Sequence, residues 1–343
     1  MSKILVSGGT GYIGSHTVVE LQEQGHEVII VDNLSNSQLD VLENIIAISG
    51  IKPAFEKFDL YDREKTLDFF KRNSDIDAVI HFAAYKAVGE SVEKPLMYYH
   101  NNIFSLVNIL DGMTENKIDT LVFSSSCTVY GQPDELPVSE NAPIKKAMSP
   151  YGNTKQISED IITDTVHASA VKAIMLRYFN PIGAHESAKI GELPLGVPNN
   201  LVPFITQTAI GIRPQLRVFG DDYPTPDGTP IRDYIHVVDL AKAHVIAVDR
   251  MLKNKNKQAL EVFNLGTGNG YSVLEVIQSF EKVSGEKLNY EIVDRRPGDV
   301  TEVWADTRLA NDELGWKAAK GIDEMNRSAW KWEKALAARK TNK

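Results

Sequence analysis

At 343 residues, with 43% hydrophobic and 24% charged side chains, the chain has the composition of a globular protein with a substantial core. Its 46 acidic residues outnumber its 37 basic ones, a formal net charge of -9. That balance disfavours nucleic acid, which needs a basic face to displace phosphate counterions. Cys127 is the single cysteine, so neither an intramolecular disulfide framework nor a thiolate metal cluster is available. The eight histidines show no metal-ligand spacing, and His185-Glu186 lacks the second histidine of H-E-x-x-H; no metal is expected. No apolar stretch is long enough to span a bilayer, and Met1-Ser2-Lys3 runs straight into Ile4-Leu5-Val6 rather than a secretory signal. A reducing cytoplasm is the expected location.

In chain order, Lys3–Ser7 reads as a strand and Gly14–Gln24 as a helix closed by Gly25. Glu27–Val31 is a second apolar strand, followed by Ala78–Phe82, Thr120–Ser124 and Ala173–Tyr178, with helical stretches between them. Nearly continuous apolar strands of this kind suit a parallel sheet covered on both faces. The fold class is therefore α/β, a doubly wound parallel-sheet Rossmann domain with a smaller mixed α/β substrate domain. Eight of the fifteen prolines fall between Pro181 and Pro230, so that stretch reads mostly as loop, with a brief helical signal over Phe204–Ile210. Strand and helix signals resume at Val262–Leu265, Ser272–Lys282 and Leu288–Val293. A soft boundary is placed near residue 180, giving 1–180 and 181–343 with some crossing of the chain between them. Arg339-Lys340-Thr341-Asn342-Lys343 is expected to be a frayed tail.

Gly9-Thr10-Gly11-Tyr12-Ile13-Gly14 satisfies G-x-G-x-x-G, follows a strand and opens a helix. Glycines there permit a tight turn and close approach of backbone amides to a pyrophosphate, and the helix N-terminus favours the anion. Asp32 ends the second strand, where a carboxylate accepts from ribose hydroxyls and repels a 2′-phosphate; NAD is favoured over NADP. A second cluster, Gly266-Thr267-Gly268-Asn269-Gly270, has Tyr271 where the third glycine would fall. It reads as a helix-entry loop with Ser272 as N-cap.

Ser149-Pro150 is a helix start, and Tyr151 and Lys155 then share one face of that helix. Such a pair is commonplace on helix surfaces. Beside a dinucleotide loop, with Ser126 just beyond a strand's C-terminal edge, it becomes a proton-transfer site for an alcohol. Positive charge from Lys155 and an oxidised nicotinamide is expected to favour the Tyr151 phenolate. Cys127 has no dedicated base beside it and is read as packing.

These motifs resemble the extended short-chain dehydrogenase/reductases and, within them, the UDP-glucose 4-epimerases. The resemblance runs nearly the whole length, through Val31-Asp32-Asn33-Leu34, the segment His81 to Ser91, Phe123-Ser124-Ser125-Ser126 and Tyr151-x-x-x-Lys155. It continues through Leu176 to Pro181, Pro198-Asn199-Asn200-Leu201, Arg232 to His236, and Arg296-Pro297-Gly298-Asp299. It implies Ser126, Tyr151 and Lys155 as catalytic residues. It further implies that Gly8, Gly11, Tyr12, Ile13, Gly14, Asp32, Asn33, Asp59, Leu60, Phe82, Lys86, Asn101 and Tyr178 join those three in binding NAD. Asn180, Asn200, Leu201, Arg232, Arg296, Asp299 and Val303, with Ser126 and Tyr151, would hold the UDP-hexose, making 181–343 a UDP-sugar-binding domain. Arginine forks suit a diphosphate in an otherwise anionic protein.

The implied reaction is reversible inversion at carbon 4 of UDP-galactose and UDP-glucose through a transient 4-keto sugar and enzyme-bound NADH. Tyr151, or Ser126 relaying to it, takes the 4-hydroxyl proton. Val303 stands before Trp304 where many bacterial relatives carry a tyrosine, so UDP-GlcNAc and UDP-GalNAc are further expected substrates. The rival readings are a nucleotide-sugar 4,6-dehydratase, disfavoured because Cys127-Thr128 rather than an acidic pair follows Ser126, and a non-catalytic NAD-binding protein. A homodimer is implied by resemblance only; amphipathic Pro95–Asn116 reads equally as an interface helix or as part of the core.

Overall fold

In the computed structural model, which describes residues 1–295 and 300–341, the first strand β1 (Lys3–Ser7) is buried on both faces. Ile4 and Val6 enter one hydrophobic layer and Leu5 the other, the alternation expected of a central strand. The chain continues through α1 (Tyr12–Glu23), β2 (Glu27–Asp32), α2 (Asp40–Ser49), β3 (Ala54–Lys57), α3 (Arg63–Arg72) and β4 (Ala78–His81). Next come α4 (Val88–Glu93), α5 (Pro95–Glu115), β5 (Thr120–Ser124), α6 (Pro150–Ala168) and β6 (Lys172–Tyr178). A short 3-10 helix, Cys127–Tyr130, lies between β5 and α6.

Beyond β6 follow β7 (Asn180–Ile182), α7 (Leu201–Ala209), β8 (Leu216–Phe219), β9 (Ile231–His236), α8 (Val237–Leu252) and β10 (Leu260–Leu265). The remainder is β11 (Gly270–Ser272), α9 (Val273–Ser284), β12 (Tyr290–Val293), β13 (Glu302–Val303) and α10 (Ile322–Thr341). The central sheet is parallel and seven-stranded, in the order β10-β6-β5-β4-β1-β2-β3. It is a Rossmann-type doubly wound sheet. The second sheet gathers β11, β13 and β7 around β9, and β8 pairs with β12 in a separate ribbon. A third apolar cluster, with Ile205, Phe280, Met325 and Trp330, joins α7, α9 and α10 beneath these smaller sheets.

Several sequence-based expectations shift. The first helix starts at Tyr12 rather than Gly14, because Gly11 serves as its N-cap; Gln24 caps its end and Gly25 follows at φ +83°. β10 extends the expected Val262–Leu265 strand and pairs in parallel with β6, so the second half of the chain returns to the first sheet through α8. β9 escaped the sequence reading because Arg232 and Asp233 interrupt its apolar pattern. The expected frayed tail is instead helical to Thr341, and Arg339 donates to the Ala188 carbonyl at 3.1 Å and lies over the Trp332 ring. Among the described residues, no helix is long and apolar enough to cross a membrane.

On α5, Gly112 packs directly on Phe70 of α3: a Cβ there would overlap the ring, with Cγ only 2.7 Å away. Alanine improves helix propensity by about 1 kcal/mol, whereas overpacking a tight core contact costs about 1–3 kcal/mol. The packing penalty wins. Gly112→Ala is expected to lower the urea midpoint, measured by circular dichroism at fixed m-value.

Candidate active site

Strand order reverses between β1 and β4, and the loops leaving their C-terminal ends meet there. Gly8 sits at φ +73°, and a Cβ on it would lie 2.8 Å from the Ala83 amide nitrogen. A Cβ on Gly14 would come within 2.9 Å of Gly9 Cα. The backbone is thus drawn tight, and α1 begins with no side-chain cap on the amides of Tyr12 and Ile13. Asp32, buried at the end of β2, accepts from the Thr10 amide at 3.2 Å and the Leu34 amide at 2.9 Å. Asn33 donates to Asp59 at 3.0 Å, and Leu60 is buried beside them. A glycine cradle, free helix-start amides and a carboxylate at the next strand's end fit a dinucleotide without a 2′-phosphate.

Phe82 lies with its ring centroid 4.6 Å from that of His244. Lys86 Nζ is 5.7 Å from the Tyr12 ring centroid and pairs with Glu192 at 3.0 Å. Tyr12 donates to the Gly183 carbonyl at 2.6 Å, tying the cofactor loop to the second half of the chain. Asn101 donates to Asn102 at 3.0 Å.

The side chains expected to react stand at the ends of β5 and β6 and on the first turns of α6. Ser149 caps α6 by accepting from the Gly152 amide at 3.1 Å. Tyr151 and Lys155 are both nearly fully buried. Burial pushes the Tyr151 phenol well above its ordinary value, and a hydrogen bond from Ser126 pulls it the other way. The expected lowering is therefore not achieved by these side chains. Desolvation outweighs them. Lys155 donates to the Ser124 carbonyl at 2.7 Å and lies 4.7 Å from the Phe123 ring centroid. Burial lowers its pKa to about 8, opposed by the charge of Glu159. Tyr178 accepts from Ser124 at 3.3 Å. Ser126 accepts from the Thr128 amide and hydroxyl at 3.2 and 3.0 Å.

On the opposite side, Asn180 begins β7 and Asn200 is the N-cap residue of α7, ahead of Leu201. Asn200 donates to the same Glu192 oxygen that Lys86 uses, at 2.6 Å. Arg232 on β9 is paired in register with Val303 of β13, and its charge is felt by the Cys127 thiol. Val303 packs against a small cluster containing Val129, Tyr130 and Phe179. Arg296 and Asp299 lie outside the described residues.

The second glycine cluster has a different use. Asp233 accepts from Thr267 at 2.8 Å, Gly268 at 3.1 Å and the Ala305 amide at 3.2 Å, and a Cβ on Gly266 would overlap the carboxylate. The loop therefore encloses an internal anion, and Ser272 caps α9 in a capping box with Glu275.

Three polar residues with no sequence-based assignment hold the site together. Asn102 bonds both backbone groups of Tyr85 and the Thr154 hydroxyl, joining the loop after β4 to α6. Glu192 bridges Lys86 and Asn200, and Glu159 braces Ser125. The one signal in the sequence was the doubling Asn101-Asn102 on the buried face of an amphipathic helix.

A doubly wound sheet with a dinucleotide cradle at its switch point, and serine, tyrosine and lysine beside it, defines a short-chain dehydrogenase/reductase of the extended type. A family profile described as GDP-mannose 4,6 dehydratase matches residues 5–329. The UDP-glucose 4-epimerase of Bacillus subtilis (strain 168) is 50% identical over 331 residues, covering 96% of each chain. The Stenotrophomonas maltophila UDP-glucose 4-epimerase, solved with NAD and formylated UDP-arabinopyranose, superposes with a TM-score of 0.95 at 48% identity, over 99% of this chain and 100% of that one. The Bifidobacterium longum UDP-glucose 4-epimerase, solved with NAD+ and UDP, gives 0.94 at 46% identity, over 98% and 99%. The chain belongs to the UDP-glucose 4-epimerase family.

Lys155 yields a signed test of its environment. Its pKa in the fold is about 8, below the ordinary 10.5, so the unfolded chain binds the extra proton between those values. Stability attributable to Lys155 therefore rises with pH across that window. Wild type is expected to gain on Lys155→Met between pH 7 and pH 10 in paired urea titrations; a constant difference would contradict the buried ammonium.

Proposed function

We propose that the chain is an NAD-dependent UDP-glucose 4-epimerase that interconverts UDP-galactose and UDP-glucose by reversible inversion at carbon 4. The observation that carries this reading is a buried phenol bonded to Ser126 beside a dinucleotide cradle, in a chain half identical to epimerases throughout its length. The amides of the Gly8-to-Gly14 turn suit the pyrophosphate, and Asp32, Asn33, Asp59 and Leu60 the adenosine end. Phe82, Lys86, Asn101, Lys155 and Tyr178 would hold the nicotinamide end. NAD, when bound, supplies a reversible hydride acceptor for carbon 4, so that the 4-keto sugar can be reduced on either face.

The remaining chemistry is proton handling. Neutral pH lies below the Lys155 value of about 8, so its ammonium is largely charged one helical turn from Tyr151. That charge alone does not outweigh the desolvation of the phenol; the positive charge of an oxidised nicotinamide would add to it. Tyr151, directly or through Ser126, then takes the 4-hydroxyl proton and later returns it. Asn180, Asn200, Leu201 and Arg232, with Arg296 and Asp299, would anchor the uridine diphosphate, leaving the hexose free to present both faces.

A 4,6-dehydratase is not favoured. Cys127, raised to about 12 by burial, and Thr128, whose hydroxyl is donated to Ser126, occupy the positions after Ser126 where its acidic pair would stand. A cytoplasmic homodimer completes the reading. Exposed Leu96 and Phe104 on α5, with the neighbouring Tyr61 and His100 rings, offer an apolar face for it.

Fresh protein given UDP-galactose without added cofactor should form UDP-glucose, and denaturation should release NAD; a 4-keto-6-deoxy product would sink the assignment. Tyr151→Phe should lose roughly 100-fold or more in kcat while retaining the nucleotide, since the general base is gone and the cradle is intact. The short Val303 side chain supports room beside carbon 2 of the hexose. Wild type should therefore also turn over UDP-GlcNAc, and Val303→Tyr should suppress that activity selectively; absence of N-acetyl turnover in wild type ends the specificity proposal.

A further inference from the structure

One buried ionic network has no part in the chemistry above. Glu159 lies on α6 one turn beyond Lys155, and it and Arg177 of β6 are each only 7% exposed. Glu159 Oε1 accepts from the Ser125 hydroxyl at 2.5 Å and from Arg177 Nε at 3.0 Å, while Oε2 accepts from Arg177 Nη2 at 2.6 Å. Arg177 Nη1 donates to the Tyr130 hydroxyl at 3.0 Å, and that hydroxyl donates to Asn264 of β10 at 2.7 Å. Ser125 immediately precedes Ser126, Arg177 precedes Tyr178, and Tyr130 ends the 3-10 helix that Ser126 caps. The network ties β5, β6 and α6 together where each delivers a site residue.

Stability alone is a weak reason for such a pair, because desolvating two charges offsets most of their attraction. Resting on the epimerase reading, we propose that Glu159, braced by Arg177, is a positioning residue for the reaction. It fixes the Ser125-Ser126 edge against Tyr151 and sets a negative charge one turn from the Lys155 ammonium.

The surroundings of Lys155 support this. Tyr151 precedes it on α6; β5 contributes the Phe123 ring and the Ser124 carbonyl. His81 at the end of β4 is held neutral by burial, with a pKa of about 3, further lowered by Lys155. The Tyr178 hydroxyl of β6, bonded to Ser124, is raised by burial and stays protonated. Arg177 stays charged throughout. Among these groups Glu159 is the anion, and its charge opposes the desolvation acting on Lys155.

Glu159→Gln alone would strand the Arg177 charge, so the test pairs it as Glu159→Gln/Arg177→Gln, which keeps amide hydrogen bonding without buried charge. In this variant the alkaline midpoint of kcat/KM for UDP-galactose should move to lower pH by roughly 1 unit. Ser125→Ala keeps the ion pair and cuts only the tie to β5; it should lower kcat roughly 10-fold with KM and the midpoint unchanged. A paired-variant profile that superimposes on wild type overturns the proposal, and so does wild-type kcat in Ser125→Ala, which decides the matter if the paired variant does not fold. Wild type that fails to convert UDP-galactose at any pH removes the epimerase reading itself; conversion by wild type with unaltered variants removes only this inference.

Discussion

Everything at the site depends on how closely two backbones approach at the reversal of strand order. Gly8 and Ala83 leave neighbouring strands and meet with no room for a Cβ between them. Any larger residue at Gly8 would also have to adopt a left-handed φ of +73°. Behind this tight loop α1 begins at a glycine N-cap, without a side chain to cap its first amides. That unpaired electrostatic end is what a pyrophosphate neutralises. The same closeness brings the loop after β4, with Phe82 and Lys86, alongside the start of α1 and Tyr12. Binding and catalysis thus inherit their geometry from sheet topology rather than from the loops themselves.

Onto that rigid frame the chain places groups in uncomfortable electrostatic states. The Tyr151 phenol is driven up by burial and the Lys155 ammonium down, each away from the form useful for proton transfer. Water would relieve both but would also solvate the reacting sugar. Placing the two on one helical face sets a cation one turn from the phenol, an arrangement that favours the phenolate form. Among the described hydrogen bonds none joins the two; Lys155 gives one of its three donors to the Ser124 carbonyl. The pairing acts through space, which makes nearby charge such as Glu159 consequential.

The sequence disclosed the features that depend on local chemistry. Buried strands such as Lys3–Ser7 and Thr120–Ser124 announced themselves by unbroken apolar runs, and Ser149-Pro150 by its capping chemistry. β9 stayed hidden because its role requires Arg232 and Asp233 inside a strand. The second glycine cluster could be dismissed as a nucleotide loop, yet its purpose, enclosing the Asp233 carboxylate, depends on a residue over thirty positions away. Glu192 and Glu159 were invisible for the same reason: their partners are distant in the chain, and polar residues at such positions look like any solvated face; Asn102 left only the trace of its doubling with Asn101.

The enclosed Asp233 also bears on how an anionic protein receives an anionic ligand. Arg232 and Asp233 are adjacent on a strand, so their side chains leave on opposite faces. The carboxylate is turned inward, and Thr267, Gly268 and Ala305 satisfy it there. Its hydrogen bonds compensate part of the cost of burial, although burial still raises its pKa. The Cys127 thiol feels both charges, Arg232 lowering its pKa and Asp233 raising it, while the guanidinium donates to the Ile231 carbonyl at 2.8 Å. A net charge of -9 therefore leaves room for a local field of the other sign, because position on the pleat, and not the overall count, decides which charge leaves which face of the strand.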